Sequence, residues 1–190
     1  MRKYIFAVLL LVAQLSVADW KLNNKASTLS FVSTKNASIS EVNTFTNLSG
    51  EVKKNGATTL KISLNSVETN ISIRNDRMKQ FLFETDRFKE AVIETTVDLS
   101  KVDALLPGSS IDMAVKASLS MHGVTEDVDA KLRVIKLQND GIAVSTVEPI
   151  IISTGLFGFQ PGLDKLKEIA KLDSITTTVP VSLNLKFDSR

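Results

Sequence analysis

From Ile111 to His122 the chain alternates with period two. Ile111, Met113, Val115, Ala117, Leu119 and Met121 share one face, and Asp112, Ala114, Lys116, Ser118, Ser120 and His122 share the other. Only an extended strand puts every second side chain on the same side, so one face is buried and the other is wet. Val128, Ala130, Leu132 and Val134 repeat the pattern after a turn at Gly123, and Asp140-Gly141 then closes a hairpin onto Ile142 to Val147. Earlier, Leu29 and Phe31 mark a first strand, and Val42, Phe45 and Leu48 mark a polar edge strand with a bulge. Asn55-Gly56 supplies the positive φ of a tight turn before Leu60, Ile62 and Leu64. Ile93, Thr95, Val97 and Leu99 form another strand, and Ile175, Val179, Val181, Leu183, Leu185 and Phe187 form the last.

About eight strands joined mostly by short turns make an antiparallel sandwich or barrel. A barrel is favoured because long strands need protected edges, and Pro180 is the only strand-interior proline that blunts one. Such a barrel is either filled by its own side chains or holds one small ligand. The slim inward residues Ala117, Ala130, Val97, Val115, Val128 and Val181 lean towards a hollow interior, but the pattern leaves both forms open.

Two stretches break the alternation. In Asn65 to Phe88, Asn75 or Asp76 is expected to cap a short helix, with Met78, Phe81 and Leu82 on one face. The second, Ser153 to Asp173, carries Gly155, Phe157, Gly158, Phe159, Pro161 and Gly162, then an amphipathic helix with Leu163, Leu166 and Ile169 on one side. The first reads either as a plug or lid against the end of a sheet or barrel or as a crossover that fills space.

At the N-terminus, Arg2 and Lys3 precede the apolar run Ile5 to Val12, which is too short to span a bilayer, and Ser16-Val17-Ala18 is a small-x-small cleavage site. Residues 1–18 are therefore expected to be a signal peptide, and 19–190 a single exported domain. Removing two of the 23 basic residues leaves 21 against 21 acidic ones, and this neutrality argues against a nucleic-acid partner. Without cysteine there is no disulfide frame and no thiol chemistry.

Catalytic signals are weak. His122 is the only histidine, so a Ser-His-Asp arrangement must use it and a multi-histidine metal site cannot form. Its place at a hairpin end beside Gly123 reads as structural. Glu84, Asp86 and Glu90 lie among Lys79, Arg87 and Lys89, the pattern of a solvated mixed-charge surface. Nucleophile-elbow, phosphate-loop and dinucleotide motifs are missing. No catalytic residue, metal ligand or cofactor is assigned, and the chain is not expected to be an enzyme.

Val67-Glu68-Thr69-Asn70-Ile71-Ser72-Ile73-Arg74-Asn75-Asp76-Arg77-Met78-Lys79 with the following Phe88 resembles the YceI-like family. Leu119-Ser120-Met121-His122-Gly123-Val124-Thr125, Phe157-Gly158-Phe159 and the segment from Asp173 to Leu185 are similar to that family's later signatures. The chain departs from the family in reading Lys25-Ala26-Ser27 and Thr34-Lys35 where histidines are common, and in placing Asn75 between Arg74 and Asp76. The resemblance implies an all-β, extended antiparallel eight-stranded barrel of lipocalin type with short helical insertions. It further implies a periplasmic protein without catalytic activity, binding a polyisoprenoid or similar long-chain lipid in an elongated apolar cavity, and a homodimer.

On that reading the chain is a carrier or sequestering protein for one long-chain amphiphile. Leu29, Phe31, Phe45, Leu64, Ile93, Val97, Met113, Val115, Leu119, Val181 and Leu183 are expected to line the channel. Phe81, in the first detour, and Phe157, in the second, are expected to complete the lining at a gated mouth. Asn70, Arg74 and Asp76 are the candidates for the head-group end. The alternative is an interaction or stress-response module whose barrel is packed solid.

Overall fold

The computed structural model describes residues 18–190; the expected signal segment lies outside them, except for the backbone of Ala18, where the first strand begins. Twelve strands follow in chain order: β1 (Ala18–Leu22), β2 (Thr28–Lys35), β3 (Ile39–Phe45), β4 (Leu48–Lys53), β5 (Ala57–Ser63), β6 (Val67–Glu68), β7 (Glu90–Thr96), β8 (Ser110–Met121), β9 (Val124–Lys136), β10 (Ile142–Thr146), β11 (Ile150–Ser153) and β12 (Thr178–Ser189). Three short helices interrupt them: α1 (Ser72–Arg77), α2 (Ser100–Asp103) and α3 (Gln160–Ala170).

Hydrogen bonding closes the strands into an eight-stranded antiparallel barrel. β12 meets β10 on one side, with Ile142 opposite Phe187, and β1 on the other, with Leu22 opposite Phe187. Four staves of this barrel are broken strands. β1 and β2 run on through a turn at Asn24–Ala26, β3 continues into β4, β5 into β6, and β10 into β11. The expected edge strand around Val42 and Leu48 is thus a full stave, β2 pairing with β3 and β1 with β4. Closure covers most of the edge that an open sheet of this length exposes.

The turns fall where the sequence supplies positive φ. Asn36 (φ 49°) and Ala37 (φ 60°) join β2 to β3, while His122 (φ 54°) and Gly123 (φ 80°) join β8 to β9. Gly56 (φ 83°) joins β4 to β5, and a Cβ there would overlap the Val97 carbonyl, so no other residue fits. Connections therefore sort between two ends. The lower end holds the turns at Gly56 and Asp140 and the segment through α2, whose Leu99 and Val102 are buried. Trp20 Nε1 there donates to the Asp140 carbonyl at 2.7 Å.

Both irregular inserts lie at the upper end. The first is α1 followed by one π-helical turn, Met78–Leu82, closed by Phe83 N–H donating to Met78 O at 2.9 Å. The second is the turn Thr154–Phe157 followed by α3. They pack on each other at Gly162, where a Cβ would overlap the Phe81 carbonyl and lie 2.9 Å from Leu82 Cα. Among the described residues no helix is long and apolar enough to cross a membrane.

Candidate ligand-binding cavity

Inward-facing side chains of all eight staves enclose a cavity of about 260 Å³. It runs almost the full height of the barrel, from Phe83 and Phe159 at the upper end to Leu99, Val102 and Phe187 at the lower. On β12 alone its wall extends from Val179 to Phe187. Eight residue steps of ~3.4 Å give about 27 Å along the strand, or ~20 Å along an axis tilted by about 40°. The bore is long and narrow because slim residues line its middle. Ala117 stands opposite Val128, and Val115 opposite Ala130. Several of these inward side chains are only half-buried although they point into the barrel, as expected where protein atoms do not fill the middle.

The lining is apolar and carries no charge among the described residues. Its only polar side chains are Thr58, Thr95 and Thr154. Each hydroxyl donates to a backbone carbonyl: Thr58 to Gly56 at 3.1 Å, Thr95 to Lys116 at 2.8 Å and Thr154 to Thr177 at 2.9 Å. Nothing in the central bore therefore demands a polar partner, and its contribution to binding rests on excluded water alone.

A chain of rings roofs the upper end. Phe31 lies 5.3 Å from Phe45, Phe45 lies 5.6 Å from Phe83, and Phe83 meets Phe159 edge-on at 5.9 Å. Phe159 continues to His122 at 4.8 Å, and His122 to Phe88 at 4.5 Å. His122 pins the roof from both sides. Its Nδ1 is 3.0 Å from the Phe157 carbonyl, on the second insert, and its Nε2 is 3.2 Å from Glu84 Oε1, on the first. The Arg87 hydrogen bond, with a smaller contribution from His122, holds the Glu84 carboxyl below its ordinary value. The structure gives the single histidine an architectural role at the meeting point of the two inserts.

Of the residues expected to form the lining, Leu29, Phe31, Phe45, Leu64, Ile93, Val97, Met113, Val115, Leu119, Val181 and Leu183 all face the cavity. Phe81 and Phe157 do not. The π turn adds a residue to the helical repeat, so Leu82 and Phe83 swing inward while Phe81 turns its carbonyl to Gly162. Phe157 is fully buried, but behind Phe159, whose ring takes the cavity-facing place.

Asn70, Arg74 and Asp76 lie outside the cavity lining, in and beside α1. Arg74 Nη1 pairs with Glu41 on β3 at 2.6 Å, and Nη2 donates to the Thr69 carbonyl at 2.6 Å. Glu41 also holds Lys35 at 2.8 Å, and hydrogen bonding to Lys35, then the Arg74 charge, depresses its carboxyl. Asp76 is exposed beside Lys79, and the Asn70 N–H (φ 60°) donates to Glu68 Oε1. Asn75 is not a helix cap. It is buried inside α1, where its Oδ1 accepts from the Thr69 N–H at 2.9 Å and its Nδ2 donates to Glu68 at 3.0 Å. This polar group fastens the roof to β3 and β6.

The sequence profile of the YceI-like domain matches residues 20–187. The chain belongs to the YceI-like family. A polyisoprenoid-binding domain from Saccharophagus degradans, implicated in plant cell wall breakdown, shares 36% identity at a TM-score of 0.89, over 92% of this chain and 100% of that one. Two more distant structures show the same YceI-like fold. Burkholderia cenocepacia BcnA is 17% identical with a TM-score of 0.68, over 87% of this chain and 98% of that one. The Campylobacter jejuni YceI protein is 13% identical with a TM-score of 0.57, over 78% and 84%. Among curated proteins none matches the sequence.

Proposed function

We propose that this protein binds one long-chain amphiphile, a polyisoprenoid or a lipid of similar shape, and carries or sequesters it in the periplasm after loss of residues 1–18. The observation that carries this reading is the uncharged bore of about 260 Å³ running the height of the barrel. Each methylene moved from water into it contributes about 0.8 kcal/mol, so ten contribute ~8 kcal/mol before the cost of ordering the chain. The S. degradans relative, itself a polyisoprenoid-binding domain, supports the choice of ligand class. A solidly packed interaction module has no use for such a bore.

The reading is non-enzymatic: binding is by water exclusion, and His122 is engaged by the roof. The homodimer implied by the family forms part of the proposal and is read by sedimentation. Titration with farnesol, followed by calorimetry, tests the binding. We expect saturation at one equivalent with a negative heat-capacity change, the mark of buried apolar surface. Failure of farnesol and longer isoprenoid alcohols to bind would overturn it.

A further inference from the structure

The barrel wall thins in two places. Between β7 and β8 only Val92 to Glu94 pair with Ser118 to Ser120. Just below, Thr95 Oγ1 bonds the Lys116 carbonyl, and Leu99 and Val102 of the α2 segment line the bore at that end. At the second thinning no hydrogen bond bridges the strands above Lys131 among the described residues. The ladder between β9 and β10 ends at Leu132 opposite Thr146, with one further bond from Val147 N–H to Lys131 O at 2.8 Å. Above it Val124 to Ala130 pair with β8 alone, and β11 pairs with β12 alone. Two strand edges thus face each other across a seam with unused backbone donors and acceptors.

A cleft of about 380 Å³ lies along this seam, between Glu126–Lys131 and Glu148–Ser153, under Leu156 and Phe157. Val128, Ala130, Ile150 and Ile152 line both the cleft and the central bore. These side chains are all that the two spaces share as a wall. Exposed Ile151 and Leu156 form an apolar outer lip.

Glu126 is the unusual residue here. Its register opposite Leu119 places it on the inward row of β9, between Val124 and Val128. It is half-buried and makes no hydrogen bond or ion pair among the described residues. The neighbouring Asp127 is engaged by Lys116 at 2.9 Å on the outside. A carboxylate on an inward row, at the join of an apolar bore and a polar cleft, is complementary to a hydrogen-bond donor.

We propose that the seam between β9 and β11 is the lateral entrance to the bore, and that it holds the ligand's polar end. Glu126 and the open strand edges receive a hydroxyl or ammonium head and disfavour an anionic one. This rests on the amphiphile-binding reading above and adds to it where the head sits and what chemistry it carries. The tail passes between Val128, Ala130, Ile150 and Ile152 into the barrel, while the head stays in the cleft.

Two measurements test it on the full exported chain. A farnesol analogue with a photoreactive diazirine beside its hydroxyl is cross-linked and the labelled peptides are sequenced. Binding of farnesol, farnesylamine and farnesyl monophosphate is then compared at low salt. The proposal expects labels in Glu126–Lys131 or Glu148–Ser153, and phosphate binding at least about tenfold weaker than alcohol or amine, since like charges brought together are penalised. Glu126→Gln is expected to narrow that gap to about threefold or less while farnesol still binds. Labels at Phe83 and Phe159 or around Leu99, or equal binding of the three probes, would overturn the entrance while leaving the bore's role intact. If neither farnesol nor longer isoprenoid alcohols bind, both readings fall.

Discussion

A hollow barrel and a solid one respond with opposite signs to added volume. Ala117 and Ala130 face the middle of the bore, opposite Val128 and Val115. Replacing either with leucine adds three carbons. If these enter open apolar space, each change stabilises the ligand-free protein by up to about 2.4 kcal/mol, at ~0.8 kcal/mol per carbon. The ceiling follows from the cavity itself. At ~24 cal/mol per Å³, a void of about 260 Å³ represents ~6 kcal/mol of forgone packing, so Ala117→Leu with Ala130→Leu approaches it at roughly 5. In a filled barrel the same substitutions overpack and cost about 1–3 kcal/mol each. Urea unfolding of the delipidated protein, fitted with a common slope, reads the difference directly. Farnesol affinity must fall at the same time, because the added carbons occupy the ligand's space. Loss of stability with unchanged affinity would refute both the void and its use.

Three further outcomes follow from the roof. Asn75→Ala strands the buried Thr69 N–H and is expected to cost about 1–3 kcal/mol, yet to leave farnesol affinity within a few-fold, because Asn75 does not touch the bore; a large loss of affinity at full stability would contradict this. Gly162→Ala forces α3 away from the Phe81 carbonyl and should destabilise by about 1–3 kcal/mol, with faster hydrogen exchange in both inserts and little change in β8 and β9. Acid should loosen the roof before the barrel. Glu41 and Glu84 are depressed below 4.5 in the folded state, so they contribute stability above that value and lose it as pH falls through their lowered values. Protection factors at Ser72–Leu82 and Thr154–Ala170, with the intrinsic pH dependence of exchange divided out, should fall at about pH 3 relative to pH 7 while those of β8 hold, and a uniform change would contradict the assignment.

The period-two pattern carried most of the architecture. It placed the inner rows of β5, β7, β8, β9 and β12 because strand alternation admits only two faces, one of which here is apolar. Asn55-Gly56 and Asp140-Gly141 marked hairpins because few other residue pairs tolerate positive φ. The interrupted staves were harder to read. Phe45 to Leu48 spans a break that realigns β3 and β4, and local pattern shows such a break only as lost periodicity. In the first insert the helical pattern put one residue on the wrong face. A helix of 3.6 residues per turn puts Phe81 inward, but one π turn hands that place to Phe83. Asn75 looked like a cap by residue type, and only tertiary contact with Thr69 and Glu68 assigns it to the interior. The seam was invisible for a different reason: β9 alternates as cleanly at Val128 as at Val134, and pairing with a distant strand leaves no mark on a strand's own sequence.

The central claim is that the bore shelters a hydrocarbon chain. Its most direct test is native mass spectrometry of the protein isolated from its own host without detergent, followed by organic extraction of the same sample. The account predicts a mass excess matching one long-chain amphiphile per polypeptide, released by extraction and recovered as a neutral or cationic isoprenoid-like lipid. A polypeptide at its bare mass, with no lipid in the extract and none taken up on incubation with isoprenoid alcohols, would contradict it.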